Sequence, residues 1–215
     1  MAKVHSEEMF INMGPHHPST HGVLQLKLHT DGEIVKKIEP VIGYLHRTFE
    51  KHAENVTYPQ VVPFTDRADY IASMNNNWAY VMTVEKLMGL EVPEYVEYIR
   101  VIIGELNRIA SHLLFFSAFG LDAGAFTPIL YAFRDREKIL DLFEMTSGAR
   151  LLYNYMWIGG VSHDLPPGFI EKTYDFLNDF YFRKDGKDSI TEFHKLLTGN
   201  KIFIERNADI GVLKP

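Results

Sequence analysis

Near residue 45 the hydrophobic period lengthens from that of a strand to that of a helix, and this switch constrains the fold more than any other feature. Before it, Val23, Leu24, Leu26 and Leu28 alternate with Gln25, Lys27 and His29, as in a half-buried strand. Asp31-Gly32 supplies a tight turn, since this pair tolerates the positive φ that a primed hairpin demands, and Ile34, Val35 and Ile38 bring the chain back. After it, Val81, Val84, Leu87 and Met88 share a helix face that Gly89 ends. Pro93 opens a second helix, whose stripe is Ile99, Ile102, Ile103, Leu106, Ile109, Ala110, Leu113 and Leu114. Arg100, Asn107, Arg108 and Ser111 fall largely off that stripe.

A third helix is expected from Arg134 through Tyr155, with Ile139, Leu140, Phe143 and Leu151 inward. A fourth follows Pro166-Pro167-Gly168 and turns Ile170, Tyr174, Leu177 and Tyr181 to the core. Lys201 to Ile204 reads as a short strand. The expectation is an α+β chain: a small N-terminal antiparallel β-sheet with a His-rich loop over 1–45, a helical bundle over 46–200, and the start of a further region over 201–215.

Composition removes several function classes. The 215 residues include no cysteine, which excludes a disulfide scaffold, a Cys-ligated zinc and an iron–sulfur cluster held by this chain. With 22 Lys+Arg against 28 Asp+Glu, the chain lacks the basic balance of a nucleic-acid binder. No uncharged apolar run reaches the ~18 residues of a bilayer span. No signal-peptide h-region follows the first residues, and no glycine-rich NAD fingerprint is present. A soluble, intracellular globular protein is expected.

Four stretches are candidates for chemistry. Met13 to Gly22 packs three His, two Pro and two Gly into ten residues, which makes it a shaped loop rather than a helix or central strand. His17 and His21 leave three readings open there: a metal site, a structural loop, or a polar ligand site that moves protons. In Thr65 to Tyr70, Asp66 or Asp69 caps a helix and pairs with Arg67, or Arg67 and Tyr70 face a cavity. Asp122 is a lone carboxylate in an apolar stretch, so it is exposed, paired or protonated. It reads either as a helix-end cap or as the partner of a distant His or Arg. Tyr131 to Lys138 is a charged run that reads as a solvated helix face.

At His17-Pro-Ser-Thr-His-Gly22 a resemblance emerges. Together with Ile42-Gly-Tyr-Leu-His-Arg47, Phe49-Glu-Lys51, Asp69-Tyr70, Val84-Glu-Lys-Leu87, Tyr98-Ile-Arg-Val101, Arg108-Ile-Ala-Ser-His-Leu113, Thr127-Pro128, Asp141-Leu-Phe-Glu144, Asn154-Tyr155 and Ile158-Gly-Gly-Val161, the chain resembles the 49-kDa (D-type) subunit family of respiratory complex I, the proton-translocating NADH:quinone oxidoreductase. The likeness runs from about residue 10 to 212. It implies a fold related to the nickel–iron hydrogenase large subunit with the metal lost. It also implies a quinone-reduction cavity shared with the iron–sulfur (B) subunit, which carries a [4Fe-4S] cluster. The expected partners are the B and C subunits and the membrane arm, and the expected place is peripheral, on the cytoplasmic side of the bacterial inner membrane.

By the same resemblance His21 and Tyr70 match the pair that hydrogen-bonds the quinone oxygens. Asp122 matches the acid behind the histidine, Arg67 the arginine beside the partner's cluster, and His17 lies in the same loop. No metal is expected on this chain, and no activity from the chain alone. The competing readings are a hydrogenase-type catalytic subunit, a His-loop metalloenzyme with His17 and His21 as ligands, and a purely structural assembly module. The chain departs from the family pattern at Leu152-Tyr153, where relatives commonly carry His-His. Losing a titratable donor there lowers the expected potential of the cluster and its pH dependence, which points to a menaquinone-type substrate. Val41 and Thr48 replace a His and a Gly frequent in relatives, and His16 stands where Gln is usual. Relatives are longer, so an N-terminal fragment is expected.

Overall fold

In the computed structural model, which describes residues 8–17, 21–183 and 185–213, the chain divides after Asn55 into two units. The first is a three-stranded antiparallel meander of β1 (Glu8–Met13), β2 (Gln25–Asp31) and β3 (Ile34–Val41), followed by the short helix α1 (Phe49–Ala53). The hairpin forms as expected, but its turn sits one residue later. Asp31 pairs with Ile34, so the two-residue loop is Gly32-Glu33. Positive φ falls on Gly32 (61°) and not on Glu33, the pattern of a turn with glycine first. The register shifts between His29 and Thr30, where Lys36 is the extra residue, a bulge that bends β3.

Thr48 adopts a φ of 53° and precedes α1 without any side-chain cap bond. A β-branched residue in the left-handed region is strained by about 1–2 kcal/mol, a strain that glycine would not carry. Thr48→Gly is therefore expected to stabilise the first unit by about 0.5–1 kcal/mol, after the entropy that glycine adds to the unfolded chain. An increase in the urea midpoint checks this, and a decrease would contradict the strain.

The second unit is helical. Its elements are α2 (Tyr58–Thr65), α3 (Ser73–Met88), α4 (Glu94–Asp122), α5 (Thr127–Ser147), a two-stranded ribbon of β4 (Met156–Trp157) and β5 (Gly160–Val161), α6 (Phe169–Leu177) running into a π-helical turn (Asn178–Phe182), α7 (Ser189–Leu197) and α8 (Lys201–Asn207). Helix α4 is the axis, with α3 and α5 packed on it. Its Ile99, Ile103, Leu106, Ala110 and Leu113 are buried with Val81 and Met74 of α3 and Ala132, Ile139 and Phe143 of α5. Helix α4 is long and apolar enough to cross a bilayer by composition, yet these residues are core. Gly104 lets α3 close on it, because a Cβ there would lie 2.9 Å from the Trp78 ring.

Six sequence expectations are corrected here. Helix α5 starts at Thr127, with Pro128 in its first turn, and ends at Gly148 (φ 76°), where the expectation was Arg134 to Tyr155. Lys201 to Ile204 is helical, opened by Asn200, whose Oδ1 accepts from the Phe203 N–H. Leu87 and Met88 are exposed although Val81 and Val84 are buried. In α6 and its π-turn the buried set is Phe169, Thr173, Phe176 and Phe180, one residue before the predicted face. Arg100 and Asn107 are buried within α4, and Asp135 and Arg136 are buried within the run read as solvated.

Candidate functional site

The candidate residues of the second unit are built around the junction of α2 and α3. A capping box between Thr57 and Gln60 starts α2, and Asp66 follows its last residue. Behind the junction, Thr65 donates from Oγ1 to the Val62 carbonyl (2.7 Å), and Asn77 donates from Nδ2 to Thr65 Oγ1 (2.7 Å) and the Val62 carbonyl (3.1 Å). Ser73 donates to the carbonyl of Asp66 (3.0 Å), and Asp69 accepts from the Ile71 N–H (3.2 Å). Asn107 of α4 accepts from the Met74 N–H (3.1 Å) and donates to the Ile71 carbonyl (3.3 Å). Asn107, which seemed to lie off the apolar stripe, thus fastens this turn to the core.

On that base stand Arg67 and Tyr70, both exposed, the tyrosine by 59%. Arg67 donates from Nη1 to the Pro63 carbonyl at 2.8 Å and lies 3.6 Å from Asp66 Oδ2. The pairing of Arg67 with a neighbouring Asp is therefore present, while Asp66 itself is fully buried. Its Oδ2 accepts the backbone N–H of Asn154 at 3.0 Å, and burial pushes its carboxyl up to about 6.

The segment that meets Asp66 contains Leu152-Tyr153, where the resemblance led us to expect a departure from the family pattern. Leu152 (φ 58°) and Asn154 (φ 45°) both take left-handed backbone. Tyr153 between them is buried edge-on to Phe143, with ring centroids 4.9 Å apart, and burial pushes its phenol up to about 12. It holds its proton throughout the physiological range.

Asp122 is the last residue of α4 and is exposed. A carboxylate at a helix C-terminus meets the negative end of the dipole and carbonyls that need donors, which weighs against the cap reading. Along the helix, Asp122 is about 22 Å from Asn107, given a rise of 1.5 Å per residue. The structure therefore brings Arg67 and Tyr70 onto one turn and leaves Asp122 at the far end of α4. His17 and His21 belong to the first unit and are exposed; His21 (φ 47°) and Gly22 (φ 75°) both have positive φ. Residues 18–20 of that loop lie outside the described residues. Among the described residues, no three His, Asp or Glu side chains are gathered to hold a metal ion.

Sequence reasoning missed a second polar cluster. Arg100 is fully buried and donates to Glu85 (2.6 and 3.0 Å) and to the carbonyls of Trp157 (2.9 Å) and Gly160 (3.0 Å). Glu85 also accepts the Gly159 N–H at 2.7 Å. The cluster clamps the β4–β5 ribbon to α3 and α4. The only signal available was a charge beside the apolar stripe.

The chain is similar in sequence to known proteins. Residues 122–215 match the family described as respiratory-chain NADH dehydrogenase, 49 Kd subunit. The chain is 58% identical over 210 residues to the NADH-quinone oxidoreductase D subunit of Prosthecochloris aestuarii, covering 98% of this chain and 51% of that protein. It is 56% identical to the D subunit of the same enzyme in Chlorobium chlorochromatii, over 97% of this chain and 50% of that one. A D subunit from Cytophaga hutchinsonii is also 56% identical, over 96% of this chain and 52% of the relative. The chain spans about half the length of the curated relatives it matches.

Proposed function

Because the chain belongs to the 49-kDa (D-type) subunit family of the NADH-quinone oxidoreductases, we propose that it forms one wall of the quinone-reduction site of a proton-translocating complex I. The observation that supports this best is the α2–α3 turn, which offers an exposed phenol and guanidinium on a base of buried hydrogen bonds. Residues that must meet a substrate need such a base, since small errors in position cost rate.

Quinone reduction adds two electrons and two protons, and the carbonyl oxygens become basic as charge arrives. Tyr70 and His21 are the donors to those oxygens, acting over about 3 Å as general acids. By the family pattern Asp122 is the acid assigned to His21, and a carboxylate left uncompensated once an imidazole has given up its proton is a trigger for conformational change. His17 helps shape the loop that presents His21. The scaffold is that of a hydrogenase large subunit without its metal, and the chain has no cysteine to hold a cluster.

The electrons are supplied by a [4Fe-4S] cluster on the iron–sulfur (B) subunit. Arg67, anchored through Nη1 with its side chain 44% exposed, offers a cation to that neighbour. The C subunit and the membrane arm complete the surroundings, and the complex holds the chain peripherally on the cytoplasmic side of the bacterial inner membrane.

Tyr153 supports menaquinone as the substrate class, because a phenol pushed up to about 12 gives the cluster region no proton to exchange. The cluster midpoint of the assembled complex is expected to stay flat between two pH values well above 7. A strongly pH-dependent midpoint in that range would reject the assignment. For the site itself, the test is quinone reduction by the complex carrying Tyr70→Phe, where a scaffold role predicts unchanged turnover.

A further inference from the structure

Arg136 of α5 is only 9% exposed, and its Nε has no hydrogen-bond partner. Among the described residues, no hydrogen bond or ion pair reaches any part of its guanidinium. What lies against it is the Phe133 ring, whose centroid is 5.7 Å from the guanidinium carbon. A ring face attracts the charge but offers no oxygen to the N–H groups. The other buried arginine shows the usual solution, since Arg100 meets the Glu85 carboxylate and two backbone carbonyls. A cation taken out of water without a counter-charge is costly, and buried charges are therefore paired.

The acids of α5 are committed elsewhere. Asp135 holds Arg134 at 3.0 Å, while Glu137, Asp141 and Glu144 all converge on the exposed Arg150. The cation that acts on the buried Asp66 is Arg67. Beside Arg136 stands a second donor in the same condition. Tyr153 is 6% exposed, and among the described residues its phenol makes no hydrogen bond. Its ring packs edge-on to Phe143, which follows Arg136 by seven residues and so shares its face of α5. Burial aside, Arg136 is the charge that acts most strongly on the Tyr153 phenol. A guanidinium fork and a phenol O–H thus lie on one face with no oxygen to receive them, next to the exposed Phe133.

We propose that Arg136 and Tyr153 form a receptor for a single carboxylate, the side chain of an Asp or Glu on a neighbouring subunit, and that this face of α5 is an assembly contact. The planar fork suits the two oxygens of a carboxylate, and the phenol adds a third donor. A carboxylate is favoured over a neutral carbonyl because only an anion cancels the buried charge. A side chain delivered by a docked subunit is favoured over a free anion because tethering raises its effective concentration. The contact goes beyond the quinone site and stands whether or not Tyr70 touches quinone.

The test is reassembly of the enzyme depleted of this chain, titrated with the native chain and its variants. Arg136→Met is expected to weaken association by about 30-fold or more, the effect of truncating one side of a buried charge pair. Tyr153→Phe is expected to weaken it by about tenfold, one hydrogen bond to a charged group. In the chain alone Arg136→Met should raise the urea midpoint, because it removes an unpaired buried charge. A side chain that merely packs predicts the opposite pattern, a lower midpoint with association intact, and that result would overturn the proposal. If acetate raises the melting temperature of the native chain but not of Arg136→Met, and association is unchanged, the receptor serves a free anion and the assembly contact is rejected. A structure of the native complex decides without any variant. A partner carboxylate within about 3 Å of the guanidinium is the expected result, and a guanidinium facing no partner acid would contradict it.

Discussion

Tyr70→Phe in the assembled complex is expected to lower quinone-reductase turnover by about 10²- to 10⁴-fold, the usual contribution of a positioned general acid. The phenylalanine keeps the ring and removes only the hydroxyl, and the ring is 59% exposed, so little packing is at stake. The backbone of the turn does not depend on that hydroxyl. Ser73 holds the Tyr70 carbonyl at 3.2 Å, and Asn107 holds Ile71 and Met74. Thermal stability should therefore change by less than ~0.5 kcal/mol, the range of surface substitutions. The loss should appear in kcat more than in KM, because a proton donor matters most as charge develops on the quinone oxygen. Unchanged turnover with an unchanged melting temperature would remove Tyr70 from the chemistry.

Arg100→Met has its large effect on stability. Arg100 and Glu85 form a buried ion pair, and removing one partner of such a pair costs about 3–5 kcal/mol because the other charge remains without compensation. The Trp157 and Gly160 carbonyls lose their donor as well, so the β4–β5 ribbon should loosen first. In the native chain burial works against the Glu85 carboxylate, but the bonds from Arg100 and Gly159 outweigh it and hold the carboxyl below its usual range. A depressed carboxyl stabilises the fold above its unfolded value, and that stability is lost as pH falls through the folded value. In Arg100→Met the carboxyl can discard its charge by taking a proton, so the deficit is expected to be greatest near neutral pH and to shrink in acid. The double variant Arg100→Met with Glu85→Leu should recover much of the loss, since apolar residues often replace a buried pair at little cost. Denaturant titration of the three variants checks this. A double variant as unstable as the single one would show that the carbonyl bonds, not the stranded charge, dominate.

The sequence was informative where one local signal decided the structure. Gly89 and Pro93 bound the α3–α4 junction because only a left-handed cap and a residue lacking an N–H suit those places. The stripe from Ile99 to Leu113 was legible for the same reason: burial repeats with the helix period. It failed where tertiary contacts decide. In α6 two apolar sets one residue apart both fit a helical period, and packing chose Phe169, Phe176 and Phe180 over Ile170, Tyr174 and Tyr181. Asn107 looked like a surface residue because nothing local reveals that the Ile71–Met74 backbone needs a donor and an acceptor there.

The candidate site divides in the same way. Arg67 and Tyr70 were legible as a pair because one short turn holds both. The burial of Asp66 was not, since its partner Asn154 is 88 residues away. At Leu152-Tyr153 the expected departure came from the resemblance alone, and what the structure adds is burial, which fixes the Tyr153 proton.

The most direct test of the account is the position of the quinone headgroup in the assembled complex, determined at a resolution that separates the two carbonyl oxygens. The account predicts the Tyr70 hydroxyl and a ring nitrogen of His21 each within about 3 Å of a different quinone oxygen. A headgroup bound elsewhere, with neither side chain in hydrogen-bond reach, would contradict it.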